Sequence, residues 1–188
     1  MEEPTRLATA MHLWQPNLSW LTSHLAIGGS FPAECIDQLG GVFQIRAVVD
    51  MRVEACDDEP VLKRHGLTFL HLPTHDHCAV SEPMLWHGVA FAKRHLDRGE
   101  RVLVHCEHGI GRSATLALCV LVSRGMQPLA ALELAKSRRS VVSPSPAQYE
   151  VWAQWLRTWK NSRQLAWEIP SFDAFKAIAY RHLQPESA

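Results

Sequence analysis

Arg101-Val102-Leu103-Val104-His105 runs directly into Cys106-Glu107-His108-Gly109-Ile110-Gly111-Arg112 and then into Ser113-Ala114-Thr115-Leu116, and this stretch sets the architecture. The first segment is a compact apolar run of the kind that forms a strand buried on both faces. The last opens an apolar helix from Ser113 to Ser123. Between them lie two glycines and an arginine. A strand that turns through glycines into a helix directs successive backbone N–H groups into one concavity, with the positive helix end behind it. Such a concavity suits a phosphate.

The same alternation continues outward in both directions. Upstream, Leu18 to Leu21 and Leu25 to Ile27 read as short strands, and the turn Gly28-Gly29-Ser30-Phe31-Pro32 opens a helix from Ala33 to Leu39. Ala47 to Met51 is a buried strand. Asp57-Asp58-Glu59-Pro60 carries the acids and proline of a helix start, Gly66 ends that helix, and Leu67 to Leu72 forms the next strand. A polar stretch from Pro73 to Ser81 precedes a helix from Glu82 to Leu96, closed by Asp97-Arg98-Gly99. Downstream, Pro128 to Arg138 and Pro146 to Lys160 read as helices.

Parallel strands need crossover connections, so this pattern predicts a single α/β domain: a mainly parallel central sheet flanked by helices. In such sheets ligands sit at the carboxyl ends of strands, where Cys106 falls. The expected division is an N-terminal arm over 1–16, a catalytic domain over 17–162 and a C-terminal extension over 163–188. That extension reads as one amphipathic helix, capped by Pro170-Ser171 and placing Phe172, Phe175, Ala179 and Leu183 on a face that docks on the domain.

Composition narrows the function classes. Nineteen Lys and Arg against 19 Asp and Glu create no overall field for nucleic acid or an anionic membrane. The opening MEEPTRLATAMHLW lacks the apolar core of a secretory signal. The apolar run Ala114 to Val122 is too short for a bilayer, which needs about 20 apolar residues. A soluble, cytoplasmic monomer is the expectation. Cys35, Cys56, Cys78, Cys106 and Cys119 are scattered without paired spacing, so free thiols are expected.

One of those thiols sits in the phosphate concavity. The thiolate is the nucleophilic form of cysteine, and the loop's dipoles and guanidinium favour it there. Gly109 and Gly111 permit close backbone approach. Arg112 offers a planar fork of donors that matches two phosphate oxygens. Most intracellular cysteines are small buried hydrophobes. A core role for Cys106 does not explain a flanking loop of two glycines and an arginine.

His105-Cys106-x-x-Gly109-x-Gly111-Arg112-Ser113 resembles the HCxxGxxR(S/T) signature of cysteine-based protein tyrosine phosphatases, specifically the compact (atypical) dual-specificity branch. Leu25-Ala26-Ile27-Gly28-Gly29 and Val48-Val49-Asp50-Met51-Arg52 resemble that branch's early strands, and the similarity runs from about Leu18 to about Trp159. The resemblance implies a two-step hydrolysis of phosphomonoesters in which Cys106 forms a phosphocysteine and water then releases phosphate. It implies a phosphate-binding loop made by Glu107, His108, Gly109, Ile110, Gly111 and Arg112, with no metal and no cofactor. Ser113 corresponds to the hydroxyl that stabilises the departing thiolate, and His105 to a residue that orders the loop.

Expelling an alkoxide or phenoxide from phosphorus needs a proton donor on a nearby loop. Asp76, in Thr74-His75-Asp76-His77, follows a strand and resembles the family's acid in its spacing from Cys106. Its rivals Glu82, Asp57, Asp58 and Glu59 better suit the first turn of a helix. His71, His75 and His77 with Asp76 raise a metal site, but the run continues Cys78-Ala79, which is poor ligand spacing.

Substrate choice is less determined. A phosphorylated protein or small phosphomonoester is the expected partner, with phosphotyrosine the first choice. A lipid, sugar, nucleotide or RNA 5′ phosphate would use the same chemistry, and a non-catalytic phosphate-recognition module is the other alternative. Glu107 and Ile110 stand where phosphoinositide-directed relatives carry lysine or arginine, which counts against a highly anionic lipid. Lys136-Ser137-Arg138-Arg139 reads as a solvated helix end whose cations suit the macrodipole, in preference to a charged pocket rim. Gln148 is a candidate for positioning water, with ordinary helix surface as the alternative. Trp152, Trp155 and Trp159 recur at helical spacing and pack against the domain's own sheet.

Overall fold

A computed structural model describes residues 14–183, so residues 1–13 of the expected arm lie outside the described residues. The strands are β1 (Leu18–Trp20), β2 (Leu25–Gly28), β3 (Ile45–Arg52), β4 (Thr68–Thr74) and β5 (Arg101–His105), and they form one sheet in the order β1-β2-β5-β3-β4. Only the β1–β2 pair is antiparallel; β5 lies between β2 and β3, parallel to both. The expected α/β class and mainly parallel sheet are therefore what the chain adopts. Central placement explains why Val102, Leu103 and Val104 form a continuous apolar run: both faces of β5 are covered.

The helices are α1 (Ile36–Gly41, preceded by a 3₁₀ turn at Ala33–Cys35), α2 (Glu59–Arg64), α3 (Glu82–Leu96), α4 (Arg112–Ser123), α5 (Pro128–Arg138), α6 (Pro146–Arg163) and α7 (Phe172–Ala179). Each long connection carries the chain from one parallel strand to the next across a sheet face. The larger core lies under α3, α4, α5 and α6, and a smaller one lies under α1 and α2. Helix α4 is buried from Arg112 through Val122, so it is apolar all round instead of on one face.

The tryptophan stripe of α6 packs inward. Trp155 and Trp159 stack at 5.0 Å, with Trp86 of α3 against both at 5.4 and 5.6 Å. At the other end of the chain, Ser171 caps α7 by accepting from the Ala174 N–H at 3.2 Å. Phe175 and Ala179 of α7 are fully buried, and Phe175 meets Tyr149 and Trp152 at 5.0 and 5.7 Å. Leu183 does not share this face: α7 stops at Ala179 and Leu183, in a following 3₁₀ turn, is 69% exposed.

Lys136 corrects the reading of a solvated helix end. It is buried, and its ammonium donates to Val142 O at 2.8 Å and Ala179 O at 2.6 Å and meets His182 Nδ1 at 2.6 Å. It thus ties the chain after α5 to the end of α7. Burial, reinforced by the nearby Arg181 charge, pulls its pKa down to about 8.

Because Phe175 fills the centre of the α6–α7 contact, Phe175→Ala should cost about 3–5 kcal/mol of stability in urea unfolding. A loss below about 1 kcal/mol would mean that α7 is not part of the cooperative core.

Candidate active site

The carboxyl end of β5 delivers His105 into the middle of the sheet, opposite Gly28 on one side and Asp50 on the other. Cys106 follows, 2% exposed, with its N–H directed to Gly28 O at 3.3 Å. The loop then turns so that Gly109 N–H donates to Cys106 Sγ at 3.2 Å, and Ser113 Oγ lies 3.4 Å from the same sulfur. A backbone amide and a hydroxyl at α4's first turn are thus in place to hold a sulfur anion.

Both loop glycines are required by contact, and Gly109 by conformation as well. Gly109 has φ +68°, and a Cβ there would lie 2.5 Å from the Gly28 carbonyl carbon. A Cβ on Gly111 would lie 2.5 Å from Gln148 Oε1, so its absence lets α6 close over the loop.

The Arg112 fork is not free. Its Nη1 and Nη2 donate to the two Glu54 carboxylate oxygens at 2.8 and 2.7 Å, and Nη1 also donates to Thr74 O at 2.8 Å. A guanidinium has five N–H donors, of which about two remain, on Nε and Nη2 along one edge. Nε is buried with no hydrogen-bond partner among the described residues, and Asp76 Oδ1 lies 3.3 Å away. Arg112 thus meets protein with its end and keeps a side edge for an oxyanion. The Arg112 guanidinium holds the Glu54 carboxyl down at about 2. Burial works against the charge on Arg112, but Glu54 outweighs it and leaves the pKa of Arg112 above its usual value.

Asp76, exposed on the loop after β4, joins Cys106, His77, His108, Ile110, Gly111, Ser143 and Gln148 around a cavity of about 210 Å³. Gln148, which the sequence offers for positioning water or as ordinary helix surface, is buried at the cavity wall. Its Oε1 accepts from Ser145 N–H at 2.9 Å, Ser145 Oγ accepts from Gln148 N–H at 3.2 Å, and its Nε2 donates to Cys78 O at 3.2 Å. Ser145 Oγ in turn donates to His77 O at 2.7 Å. The α6 capping box therefore pins the Asp76 loop against the Cys106 cavity.

Behind the cavity lies a second charged cluster. Arg52 donates from Nε and Nη2 to the two Asp50 oxygens at 3.0 Å each, reaches Asp57 Oδ1 at 2.6 Å, and approaches Glu107 Oε2 at 3.4 Å. His105 Nε2 meets Asp57 Oδ2 at 2.9 Å. Burial alone would raise the Asp50 carboxyl; the Arg52 hydrogen bonds outweigh it and keep the carboxyl below its usual value. Asp57 is thus part of this cluster and not a helix-start acid, a role taken by Asp58, which accepts from Val61 N–H at 3.0 Å. The Glu107 side chain turns back to Arg52 and Ser30, leaving its backbone to the phosphate-binding loop.

The histidines do not converge. His71 Nε2 is drawn to Arg52 O at 2.6 Å, while His75 and His77 remain on the exposed loop. Asp50, Asp57 and His105 are close enough together to resemble a ligand set, but Arg52 already supplies the positive charge at that place. Glu54 and Arg52 have no role in the sequence reading, and Arg139, expected as part of a solvated helix end, instead donates to the carbonyls of His108 and Gly109. The signal for the first two was position: Arg52 and Glu54 lie at the carboxyl end of the strand beside β5, where parallel sheets collect functional groups.

The chain spans only part of its curated relatives. The mouse "Phosphatidylglycerophosphatase and protein-tyrosine phosphatase 1" is 33% identical over 114 residues, which is 57% of this chain and 59% of that protein. The mouse "Dual specificity protein phosphatase 1" is 48% identical over 50 residues, 26% of this chain and 14% of that protein. Among solved structures, PTPMT1 in complex with PI(5)P superposes with a TM-score of 0.74 at 25% identity, covering 78% of this chain and 99% of that one. The family model "Dual specificity phosphatase, catalytic domain" matches residues 30–162, which include β3, the Asp76 loop, the Cys106 loop and the α6 cap. By that match over most of its length, the chain belongs to the dual-specificity phosphatase catalytic-domain family.

Proposed function

We propose that this protein hydrolyses phosphomonoesters through a phosphocysteine intermediate, without a metal ion. The observation that carries the reading is the Cys106 sulfur at the cavity floor. It lies 3.2 Å from Gly109 N–H and 3.4 Å from Ser113 Oγ, in a loop that ends on an arginine with an unspent edge. The thiolate attacks phosphorus in line while Arg112 and the loop amides take up charge on the equatorial oxygens. Asp76 gives its proton to the leaving oxygen, and the alcohol or phenol departs. Asp76, now a carboxylate, then takes a proton from water as that water attacks the phosphocysteine. The S–P bond breaks, Ser113 stabilises the departing thiolate, and inorganic phosphate leaves. Glu54 acts through Arg112 by fixing which guanidinium edge faces the substrate.

Protein phosphotyrosine, with phosphoserine or phosphothreonine as dual-specificity substrates, is the reading we favour. The cavity walls carry Asp76, His77 and His108, and beyond the Arg112 edge that meets the phosphoryl group no lysine or arginine lines them among the described residues. That wall suits a single phosphoryl group on a neutral ring better than a polyanion. A lipid monoester is the second reading, favoured by the 33% identity to a protein named for both lipid and protein-tyrosine phosphatase activity. The free thiols suit a reducing compartment such as the cytoplasm. No helix among the described residues is long and apolar enough to cross a membrane. We take the catalytic unit as 17–162 with α7 packed against it.

On a panel of a phosphotyrosine peptide, a phosphothreonine peptide and a phospholipid monoester in vesicles, the phosphotyrosine peptide should show the highest kcat/KM. Faster turnover of the lipid would select the second reading, and Cys106→Ser should abolish all three. Asp76→Asn should lower kcat on alkyl phosphates by about 10²-fold or more, and far less on p-nitrophenyl phosphate, whose leaving group needs little protonation. Equal losses on both would remove Asp76 as the acid. Glu54 titrates at about 2 in the fold against 4.5 as its ordinary value. Its ionised pairing therefore contributes stability above pH 4.5 that is lost as pH falls through about 2. The gap in urea midpoint between wild type and Glu54→Gln should accordingly shrink over that interval. A gap that stays constant would show that Arg112 does not hold this carboxylate.

A further inference from the structure

Arg139 sits just past the end of α5, where a cation is ordinarily a solvated C-terminal charge. Here its donors are spent on the phosphate-binding loop. Its Nη2 donates to His108 O at 2.8 Å, its Nε donates to Gly109 O at 2.8 Å, and its far side is held by Asn17 Oδ1 at 2.7 Å and Ser19 Oγ at 3.4 Å. Burial lowers the pKa of Arg139, and the Cys106 sulfur opposes that shift.

The geometry of the peptide unit makes these contacts informative. In a planar trans peptide the C=O and the following N–H point in opposite directions. The His108–Gly109 peptide shows both ends: its carbonyl accepts from Arg139 while its N–H donates to Cys106 Sγ at 3.2 Å. The Gly109–Ile110 peptide has its carbonyl on the same guanidinium, which aims the Ile110 N–H into the concavity. A Cβ on Gly109 would lie 2.9 Å from Arg139 Nη2, so the glycine also makes room for this approach.

We infer that Arg139 is a positioning residue: by gripping two loop carbonyls from outside, it turns the Gly109 amide hydrogen onto the Cys106 sulfur and the Ile110 amide hydrogen into the concavity that receives the oxyanion. This rests on the phosphatase reading and adds a residue to it that touches neither substrate nor sulfur. A positive charge at the carbonyl end of a peptide also strengthens its N–H as a donor. The arrangement gives β1 a purpose beyond closing the sheet edge, because its Ser19 and the preceding Asn17 anchor the outer side of the arginine.

The test compares inhibition by inorganic vanadate, which the inward amides grip directly, with kcat, KM and the urea midpoint. Arg139→Met should weaken vanadate by about tenfold or more and lower kcat, since a single misdirected oxyanion donor costs about 10²–10³ in kcat elsewhere. Arg139→Lys, able to reach one carbonyl at a time, should recover part of both. Asn17→Ala, which leaves the guanidinium in place, should show a smaller loss in the same direction, and it keeps the test decisive if Arg139→Met does not fold. Wild-type turnover and vanadate inhibition with unchanged values in Arg139→Lys and Asn17→Ala would overturn the role of Arg139 alone. So would a fall in kcat with vanadate inhibition intact. A wild-type protein that neither turns over p-nitrophenyl phosphate nor binds vanadate would overturn the phosphatase reading, and this inference with it.

Discussion

A loop whose amide hydrogens converge on one point must send its carbonyl oxygens the other way, and each of those oxygens needs a donor outside. Around Cys106 the donors come from separate parts of the chain. Glu107 O accepts from Ser30 N–H at 3.0 Å, His108 O and Gly109 O accept from Arg139, and Ile110 O accepts from Ser143 N–H at 3.1 Å. Ser30 leaves the end of β2, whereas Arg139 and Ser143 belong to the connection between α5 and α6. The concavity is therefore a property of the assembled fold, since no segment of the loop could satisfy its own outward carbonyls.

Charge is handled on the same plan. Arg112 and Arg52 are both almost inaccessible, and each is met by carboxylates: Glu54 for the first, Asp50 and Asp57 for the second. Removing one partner from a buried pair commonly costs more than the pair contributes, because the remaining charge is stranded. The two clusters grip the residues on either side of the nucleophile. His105 is held through Asp57, Glu107 through Arg52, and Arg112 through Glu54 and the carbonyl of Thr74. Lys136 extends the bracing outward, joining Val142 to the last turn of α7. A helix near the chain's end thus braces the segment that holds the loop carbonyls.

Much of this was legible in the residues. The apolar run Val102 to Val104, the glycines at 109 and 111 and the helix beginning at Arg112 identify a buried strand, a tight loop and a helix start, and the structure has each of them. Asp76 was legible because its loop position and residue type agree, and it does reach the Cys106 cavity. Other members were hidden because their partners are remote in sequence. Nothing local tells Arg139 from any solvated arginine at a helix end; its partners at Asn17, His108 and Gly109 exist only after β1 and the loop have been brought together. Lys136 was misread for the same reason, since a buried lysine becomes reasonable only when distant carbonyls surround it. Leu183 was misplaced by extending helical periodicity past the point where α7 ends.

The account stands or falls on sulfur–phosphorus chemistry at Cys106. Rapid mixing with a ³²P-labelled aryl phosphate, followed by acid quenching and peptide mapping, tests this directly. The expected result is label covalently attached to the peptide containing Cys106, appearing within one turnover and vanishing as phosphate is released. Turnover with no label on that peptide at any quench time, in a protein whose Asp76→Asn form also accumulates none, would contradict it.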